Sequence, residues 1–461
     1  MNSMEKASTV SLALLYSFRM LGLFMVLPVL SLYMASTDSD QAIAGATPLL
    51  IGLAIGGYGL TQALMQIPFG ALSDRFGRKS LITIGYLFFI VGSLIAACSD
   101  DIYGIIAGRL LQGFGAVAAC IMALLGDLTS EEVRTRSMAM VGASIGLSFA
   151  VSIVLGPIVD SIWGLQGIFW LTALLGVIGL GILWLLVPNP PKALYSLETL
   201  STSGGLIKSW KNLELQRVYW GVLILHALLT AVFIILPARI LEVFDITAAS
   251  SGWVYLPVVI VGFFLAVPFI LVAEVKRKMK AMLVMAVALL SLSVISLVIE
   301  TQSAVFLIIL LCVFFLAFNL LEATLPSLVA KLASAGTRGS AMGLFSSHQF
   351  FGAFLGGWFG GAALQHGGSD FLIYLCFAAL IIWLFMVVTM KPPKFLKSTS
   401  IALSDYEAYE HAASSLADCQ GVLEVFWYQD KCTLYVKYDP DVTNDGLIQT
   451  VALGHEPEAT V

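Results

Sequence analysis

The sequence has 461 residues, of which 59% are apolar and only 11% are charged. Soluble domains carry about 25% charged residues, so this composition excludes an ordinary soluble globular protein and indicates a membrane protein. The formal charge of −5 also excludes the strongly basic surface of a nucleic-acid-binding protein, and no nucleic-acid partner is expected.

Twelve apolar stretches are long enough to cross the hydrocarbon core of a bilayer as helices. Because backbone polar groups in lipid must be hydrogen-bonded internally, each stretch is predicted to be α-helical. The first is too long for the apolar part of a signal peptide, so it is kept as a membrane helix. These stretches, numbered spans 1 to 12, run at about 10–34, 47–72, 80–98, 102–125, 137–158, 167–187, 219–241, 252–272, 281–299, 304–325, 341–364 and 371–388.

Basic residues are confined to one set of loops. The loops after even-numbered spans contain Lys and Arg, such as Arg136 and Lys278, whereas the loops after odd-numbered spans contain Asp, such as Asp101, and no Lys or Arg. We call these two ends of the protein the basic side and the acidic side. Cytoplasmic loops are enriched in Lys and Arg, so the basic side is predicted to face the cytosol. Both termini are then predicted to be cytosolic.

The two halves of the chain repeat each other. Residues 47–68 and 247–268 keep an offset of 200, so that Gly52 matches Gly252 and Asp74 matches Glu274. Paired six-helix halves with a substrate site between them are one arrangement of secondary transporters. The predicted domains are an N-terminal bundle at 1–187, a linker at 188–215, a C-terminal bundle at 216–390 and a small domain at 398–461.

The junction of spans 2 and 3 carries the most specific motif. Residues 70–79 read GALSDRFGRK, which resembles the signature G-x-L-x-D-R-x-G-R-K of the major facilitator superfamily. Arg109, Gln112 and Gly113 in span 4 are similar to the R-x-x-Q-G element of the same family. The resemblance covers residues 10–390. It implies two bundles of six transmembrane helices and transport by alternating access.

Span 5 resembles the drug:proton antiporters of this superfamily in part. Their G-x-x-x-G-P-x-x-G-G element keeps its core here as Gly156 and Pro157, while Ser152, Asp160 and Ser161 replace the other glycines. The resemblance implies proton coupling. The missing glycines weaken the case for export and for multidrug substrates.

The motif between spans 2 and 3 is predicted to form a conformational gate. Glycine allows close helix approach and tight turns, and Asp74 would cap the positively polarised start of span 11 and join the two halves. Asp127 ends span 4, where the helix dipole disfavours an anion, and the resemblance implies Arg78 as its partner. The network would stabilise the outward-facing state. The predicted gate residues are Gly70, Asp74, Arg75, Gly77, Arg78, Lys79 and Asp127; for Arg75 and Lys79 the alternative is that they only set the topology.

Ionisable side chains inside the spans are the candidates for proton coupling, because such groups are costly in lipid and usually face a cavity or a partner. Glu322 is the only carboxylate well inside an apolar stretch, and the alternative is a structural ion pair. Arg109 with Gln112 is either a proton relay, as the resemblance implies, or a helix–helix hydrogen-bonding site. His226 is a further coupling candidate, and the alternative is a hydrogen-bonded packing residue.

Other polar side chains in the spans are predicted to line a central cavity. Arg19 would hold an anionic substrate group or pair with a carbonyl. The remaining side chains would contact substrate, or serve as interhelical hydrogen bonds, packing residues or interfacial anchors. The cavity candidates are Arg19, Tyr58, Gln62, Asn319, His348 and Gln349.

The tail after residue 397 has a different composition. Ser404 and Glu407 form a capping-box pattern before a helix to 417, and the stretches 422–428 and 433–438 alternate like strands. With a strand at 399–403 and a helix at 444–452, the pattern predicts a ferredoxin-like α+β domain in the cytosol. Cys419 and Cys432 do not form a C-x-x-C motif, so no metal site is predicted; a regulatory role or self-association through this domain is the better hypothesis.

Together these patterns predict an all-α membrane protein with a small α+β tail. No sequence pattern of catalysis or of ATP binding occurs, so the chain is predicted to be neither an enzyme nor dependent on a cofactor. The predicted function is proton-coupled export of an unidentified small molecule, with that solute, protons and the lipid bilayer as partners. One alternative is a membrane sensor that signals through its tail; a membrane-embedded enzyme would need an acid cluster that the sequence does not show.

Overall fold

The computed structural model describes residues 1–34, 43–189, 203–299, 303–334, 337–393, 397–403, 406–417, 419–428, 432–440 and 442–453. Before the tail, the described chain is mainly helical, and span 4 consists of two helices separated by residues 115–117. The helices before the tail are α1 (Ser3–Leu32), α2 (Pro48–Phe76), α3 (Arg78–Ala97), α4 (Ile102–Phe114), α5 (Ala118–Leu128), α6 (Glu131–Leu185), α7 (Ser203–Lys211), α8 (Leu213–Phe244), α9 (Gly252–Glu274), α10 (Met279–Ile295), α11 (Ala304–Leu332) and α12 (Arg338–Val388). The tail contains β1 (Lys397–Ala402), α13 (Tyr406–Ala417), β2 (Val422–Tyr428), β3 (Thr433–Tyr438) and α14 (Asp445–Ala452).

The predicted twelve spans are confirmed within these ranges. Ten helical segments are long and apolar enough to cross a membrane, and two of them are of double length, with 50 and 51 residues. The double-length helices α6 and α12 each break at one glycine, Gly164 with φ 66° and Gly368 with φ 74°. Glycine reaches this left-handed region without the steric penalty of a side chain, so each double helix supplies two spans. The predicted linker lies partly outside the described residues, at 190–202, and continues as the short helix α7.

The apolar cores show where the two halves meet. One core contains buried residues of the N-terminal half alone and lies toward the basic side, including Leu12, Ile82 and Leu124. Another combines both halves toward the acidic side, where Val29 packs in one cluster with Ile234. The bundles are therefore joined most extensively near the acidic side.

A seam of glycines between α2 and α12 makes this joint tight. A Cβ atom added to Gly52 would overlap the carbonyl of Gly357, and one added to Gly361 would overlap the carbonyl of Pro48. At the same end, the amide of Leu49 donates a hydrogen bond of 3.2 Å to Gln365 Oε1. Small residues let helix backbones approach closely in membranes, and here they bring one helix of each half into direct backbone contact.

The tail forms the predicted α+β domain. Its three described strands pair antiparallel in the order β1-β3-β2, with α13 and α14 in the connections. Leu434 and Val436 of β3 are fully buried against Leu416 of α13 and Ile448 of α14. The order matches a ferredoxin-like arrangement over the residues described. The predicted capping residue Ser404 lies outside them.

Candidate functional site

The predicted gate residues surround one buried guanidinium group. Arg78 forms an ion pair with Asp74, one helical turn earlier, and a second with Asp127 Oδ2 at 3.1 Å. Its Nη1 atom also donates to Ser73 Oγ at 2.6 Å. The side chains of Arg78 and Asp127 are only 2% and 3% exposed. Charged hydrogen bonds of this kind are strong when they are shielded from water, so the group ties α2, α3 and α5 together.

The chain reaches this geometry through Gly77. With φ 90° and ψ 141°, Gly77 ends α2 and starts α3 in a conformation that favours glycine, which places Arg78 directly beneath the last turn of α2. Gly70 is less constrained, because an added Cβ would meet only the Cβ of Ala119 at an ordinary 3.6 Å.

The two other basic residues of the motif have different surroundings. Arg75 is exposed, whereas Lys79 is buried. Lys79 Nζ donates to the carbonyl of Val187 at 2.5 Å and lies 5.5 Å from the ring centroid of Trp184. Lys79 therefore fastens the start of α3 to the end of α6.

The C-terminal half has a related cluster that the sequence analysis did not single out. Glu274 at the end of α9 forms an ion pair with Lys331 near the end of α11, and Ser327 Oγ donates to the same carboxylate at 2.5 Å. The sequence signal for this cluster is the internal repeat, in which Glu274 matches Asp74. No spacing rule pointed to Lys331, because its partner lies 57 residues earlier.

The N-terminal bundle buries Arg19 among neutral groups. Its guanidinium donates to Tyr58 Oη at 3.0 and 3.2 Å and to Gln62 Oε1 at 3.0 Å. Arg19 has no exposed surface, and its Nη1 atom has no hydrogen-bond partner among the described residues. The ring of Phe89 lies 5.1 Å from the guanidinium carbon. The predicted neighbours Arg19, Tyr58 and Gln62 are thus brought together, with one donor still available for an anionic or carbonyl group.

Arg109 and Gln112 join three helices. Arg109 donates to the backbone carbonyls of Ala54 and Ile55 on α2 at 3.1 and 3.3 Å, and to Gln112 Oε1 at 2.9 Å. Gln112 Nε2 in turn donates to Ser93 Oγ on α3 at 2.8 Å. These contacts match the helix–helix hydrogen-bonding alternative; the proton relay stays a prediction.

In the C-terminal bundle the structure brings three candidates into one cluster. Gln349 Nε2 on α12 lies 2.8 Å from His226 Nε2 on α8 and 3.2 Å from Glu322 Oε1 on α11. Glu322 Oε2 and His226 Nε2 are 3.5 Å apart. The side chain of Glu322 is 41% exposed and that of His226 is 13% exposed, so water can reach the carboxylate while the imidazole is largely enclosed. Sequence analysis named all three residues but had no basis for joining them.

The remaining cavity candidates lie elsewhere. His348 stacks on the ring of Tyr219 at 5.1 Å and packs near Trp210 of α7 and Trp220 of α8. Asn319 Nδ2 donates to the carbonyl of Phe315 on its own helix at 2.7 Å. His348 thus lies on the face of α12 that meets α7 and the start of α8.

The Gly-Pro element of span 5 lies against α1. A Cβ on Gly156 would overlap the carbonyl of Met25, so the glycine permits close packing of α6 on α1, and Pro157 follows within the same helix. Asp160, which replaces a glycine of the antiporter element, accepts a hydrogen bond of 3.0 Å from Tyr33 Oη.

The tail contacts the C-terminal bundle through one strand. Lys437 on β3 points away from the apolar core of the tail, and its Nζ atom donates to the carbonyls of Lys331 and Ala333 at 3.3 and 3.1 Å. Burial lowers the pKa of Lys437, Glu424 opposes this effect, and Arg338 adds to it. The C-terminal end of a helix carries partial negative charge, so a cation is favourable here, at the end of α11. Within the described ranges no group of three or more His, Cys, Asp or Glu side chains is placed to hold a metal ion.

Comparison with known proteins identifies the class. The family model of the Major Facilitator Superfamily matches residues 12–357. The chain belongs to this superfamily and is a secondary transporter with its fold, as the motifs predicted. It is 42% identical over 443 residues to the inner membrane transport protein YajR of Escherichia coli (strain K12), which covers 95% of this chain and 96% of that protein.

Other relatives agree with this assignment. An uncharacterized transporter of Buchnera aphidicola subsp. Acyrthosiphon pisum is 36% identical over 360 residues, covering 77% of this chain and 90% of that one. Among solved structures, a bacterial homolog of the human lysosomal transporter Spinster, in an inward-facing and occupied conformation, aligns with a TM-score of 0.65 at 12% identity and covers 85% of this chain and 98% of that one. This last likeness concerns the fold alone.

Proposed function

We propose that this transporter moves an unidentified small molecule out of the cell in exchange for protons, and that Glu322 and His226 bind the coupled proton. The observation that carries the proposal is the cluster in which the two groups lie 3.5 Å apart between α8 and α11, with the carboxylate 41% exposed. An ionisable pair within membrane-spanning helices is costly to maintain, and such pairs commonly mark ion pathways.

The orientation follows from the loop charges. The excess of Lys and Arg in the loops of the basic side supports placing that side and both termini in the cytosol. In that orientation, the joint between the halves near the acidic side supports an inward-facing state. The relative YajR is named an inner membrane transport protein, which supports an inner-membrane location for this chain. Arg19, whose Nη1 atom has no hydrogen-bond partner among the described residues, is the proposed anchor for an anionic or carbonyl group of the solute. The tail domain is the proposed site of self-association.

The gate proposal concerns the opposite state. When the halves rock so that the basic side closes, Asp74 would cap the start of α12, while Arg78 and Asp127 hold it in place. Replacing Asp74 by Asn removes the charge and keeps the shape, so transport should fall by about tenfold or more while the folded yield changes little. An equal loss of transport and of folded protein would show that Asp74 is only structural.

Proton coupling can be tested with purified protein in liposomes. A pH gradient is imposed, candidate solutes are added one at a time, and dissipation of the gradient is followed with a pH-sensitive dye. A coupled solute should collapse the gradient with the native chain and fail to do so with Glu322→Gln. Solute movement of equal rate with and without a pH gradient would contradict the proposal.

A further inference from the structure

The side-chain amide of Gln349 occupies a position that depends on where protons lie in the His226–Glu322 pair. His226 Nδ1 is 3.1 Å from the carbonyl oxygen of Val222. A carbonyl only accepts, so Nδ1 carries a proton, and in a neutral imidazole Nε2 is then an acceptor. Gln349 Nε2 has two hydrogens and can donate one to His226 Nε2 and the other to Glu322 Oε1.

This arrangement is satisfied only while His226 Nε2 carries no proton, because Gln349 Nε2 needs an acceptor on both sides. A proton taken up from water at the basic side onto His226 Nε2 turns that atom from an acceptor into a donor. The two facing N–H groups then repel, and turning the amide would bring Gln349 Oε1 against the carboxylate oxygen of Glu322. Neither orientation of the amide serves both neighbours. The imidazolium can instead pair directly with Glu322, already 3.5 Å away.

The residue that follows Gln349 lies at the joint between the halves. The ring of Phe350 packs against that of Tyr58 on α2, with centroids 6.3 Å apart. The carbonyl of Phe350 lies so close to Gly59 that no Cβ fits between them. Because Gln349 and Phe350 are adjacent, a change in the hydrogen bonds of Gln349 should directly affect the contact between α12 and α2.

We propose that Gln349 is a protonation-dependent strap, which ties α12 to α8 and α11 while the imidazole of His226 is neutral and releases α12 when the imidazole takes up a proton. The inference rests on the proposed proton coupling and adds the positioning residue that converts proton binding into movement between the halves. The proton returns to water on the other side when the strap forms again.

Several other titratable or charged groups surround the pair. Tyr16 on α1 interacts electrostatically with both Arg19 and Glu322. On α2, Tyr58 packs against Phe350, the residue that follows Gln349. His348 on α12 is turned toward Tyr219, and the charged ends of α9 and α10, at Glu274 and Lys280, lie at the basic side. The surroundings thus place the nearest acidic partner of His226 at Glu322.

The test needs no knowledge of the solute. Nitroxide labels at Phe76 and Val275, which are 65% and 75% exposed at the basic ends of α2 and α9, report the separation of the halves. The six native cysteines are replaced by Ser. Distance distributions are recorded at about pH 5 and pH 8, the interval in which histidine titrates. Infrared difference spectra of the same samples follow the protonation of His226 through the vibrations of its imidazole ring.

The native chain should change its distance distribution between these pH values. His226→Gln, which removes the imidazole, should give the same distance distribution at both pH values and lose the imidazole infrared band. Gln349→Met, which keeps the length of the side chain without its amide, should keep the band yet lose at least half of the pH-dependent change. Gln349→Asn, which is too short to reach both partners, should do the same and serves if the Met variant does not fold.

A matched control is Gln216→Met at the basic side. Among the contacts described, the side-chain amide of Gln216 donates only to the carbonyl of Trp210, at 2.7 Å. This substitution should leave the native response unchanged. A native response in both Gln349 variants would overturn the strap and leave proton coupling standing. A native chain with no pH response and no His226 imidazole band in the difference spectrum would overturn the proposed function itself.

Discussion

The two halves surround the equivalent acids of their repeat, Asp74 and Glu274, differently. At the basic end of the N-terminal half, one cation, Arg78, contacts two carboxylates and is almost fully buried. At the equivalent end of the C-terminal half, Glu274 forms an ion pair with Lys331, and the two side chains are 34% and 22% exposed. The N-terminal ion pairs are therefore shielded from water, whereas the C-terminal pair is partly open to it, and burial should make the N-terminal cluster the more costly one to break.

The largest effect is expected when the shared cation is removed. Arg78→Ala removes the buried cation that contacts both Asp74 and Asp127, so stability should fall by about 3–5 kcal/mol, measured by thermal unfolding in detergent. Arg75→Ala, at an exposed position, is the control and should be near neutral. Adding Asp127→Asn to the first variant should recover part of the loss; no recovery would mean that Arg78 acts through packing.

The turn that follows each of the two acids, Asp74 and Glu274, gives the next comparison. Gly77 has φ 90°, and Arg277, exactly one repeat later, has φ 55°. Gly77→Ala forces a side chain into a conformation that favours glycine and should cost about 1–3 kcal/mol of unfolding free energy. Gly70→Ala, which meets only an ordinary contact, is the control. Arg277→Gly should change stability by less than about 1 kcal/mol, and a loss as large as that of Gly77→Ala would show that the two turns are not equivalent.

Breaking the C-terminal pair should have a smaller effect. Lys331→Met leaves Glu274 hydrogen-bonded to Ser327 and partly in water, so unfolding should become easier by only about 0.2–1 kcal/mol. The reversed pair, Glu274→Lys with Lys331→Glu, should restore most of this difference. A loss comparable to that of Arg78→Ala would remove the contrast between the halves.

The smallest effect is local to the tail. Lys437→Met removes the donor that holds β3 on the carbonyls at the end of α11, so amide hydrogen exchange in β3 should become several-fold faster while the melting temperature of the bundle stays the same. Lys391→Met, at an exposed position near the tail, should leave the exchange rates unchanged. Unaltered exchange in the Lys437 variant would show that other contacts dock the tail.

Local patterns in the sequence predicted the parts of the protein that local chemistry decides. Length and apolarity defined the spans, the strand alternation defined the tail sheet, and the helix dipole called for a cation at Asp127, where the structure has Arg78. The arrangement around Glu322 depends on the relative rotation of α8, α11 and α12, which the hydrophobic periodicity of the sequence does not predict. The same holds for Lys437, whose acceptors lie 104 and 106 residues earlier in another domain.

The glycine seam between α2 and α12 bears on how the acidic side could open. Where backbone lies on backbone, separation leaves no emptied side-chain pockets and demands no change of rotamer. The two helices can therefore separate and come together again repeatedly at little energetic cost. A single methyl group added at Gly357 would overlap the carbonyl of Gly52 and prevent the close contact from forming again.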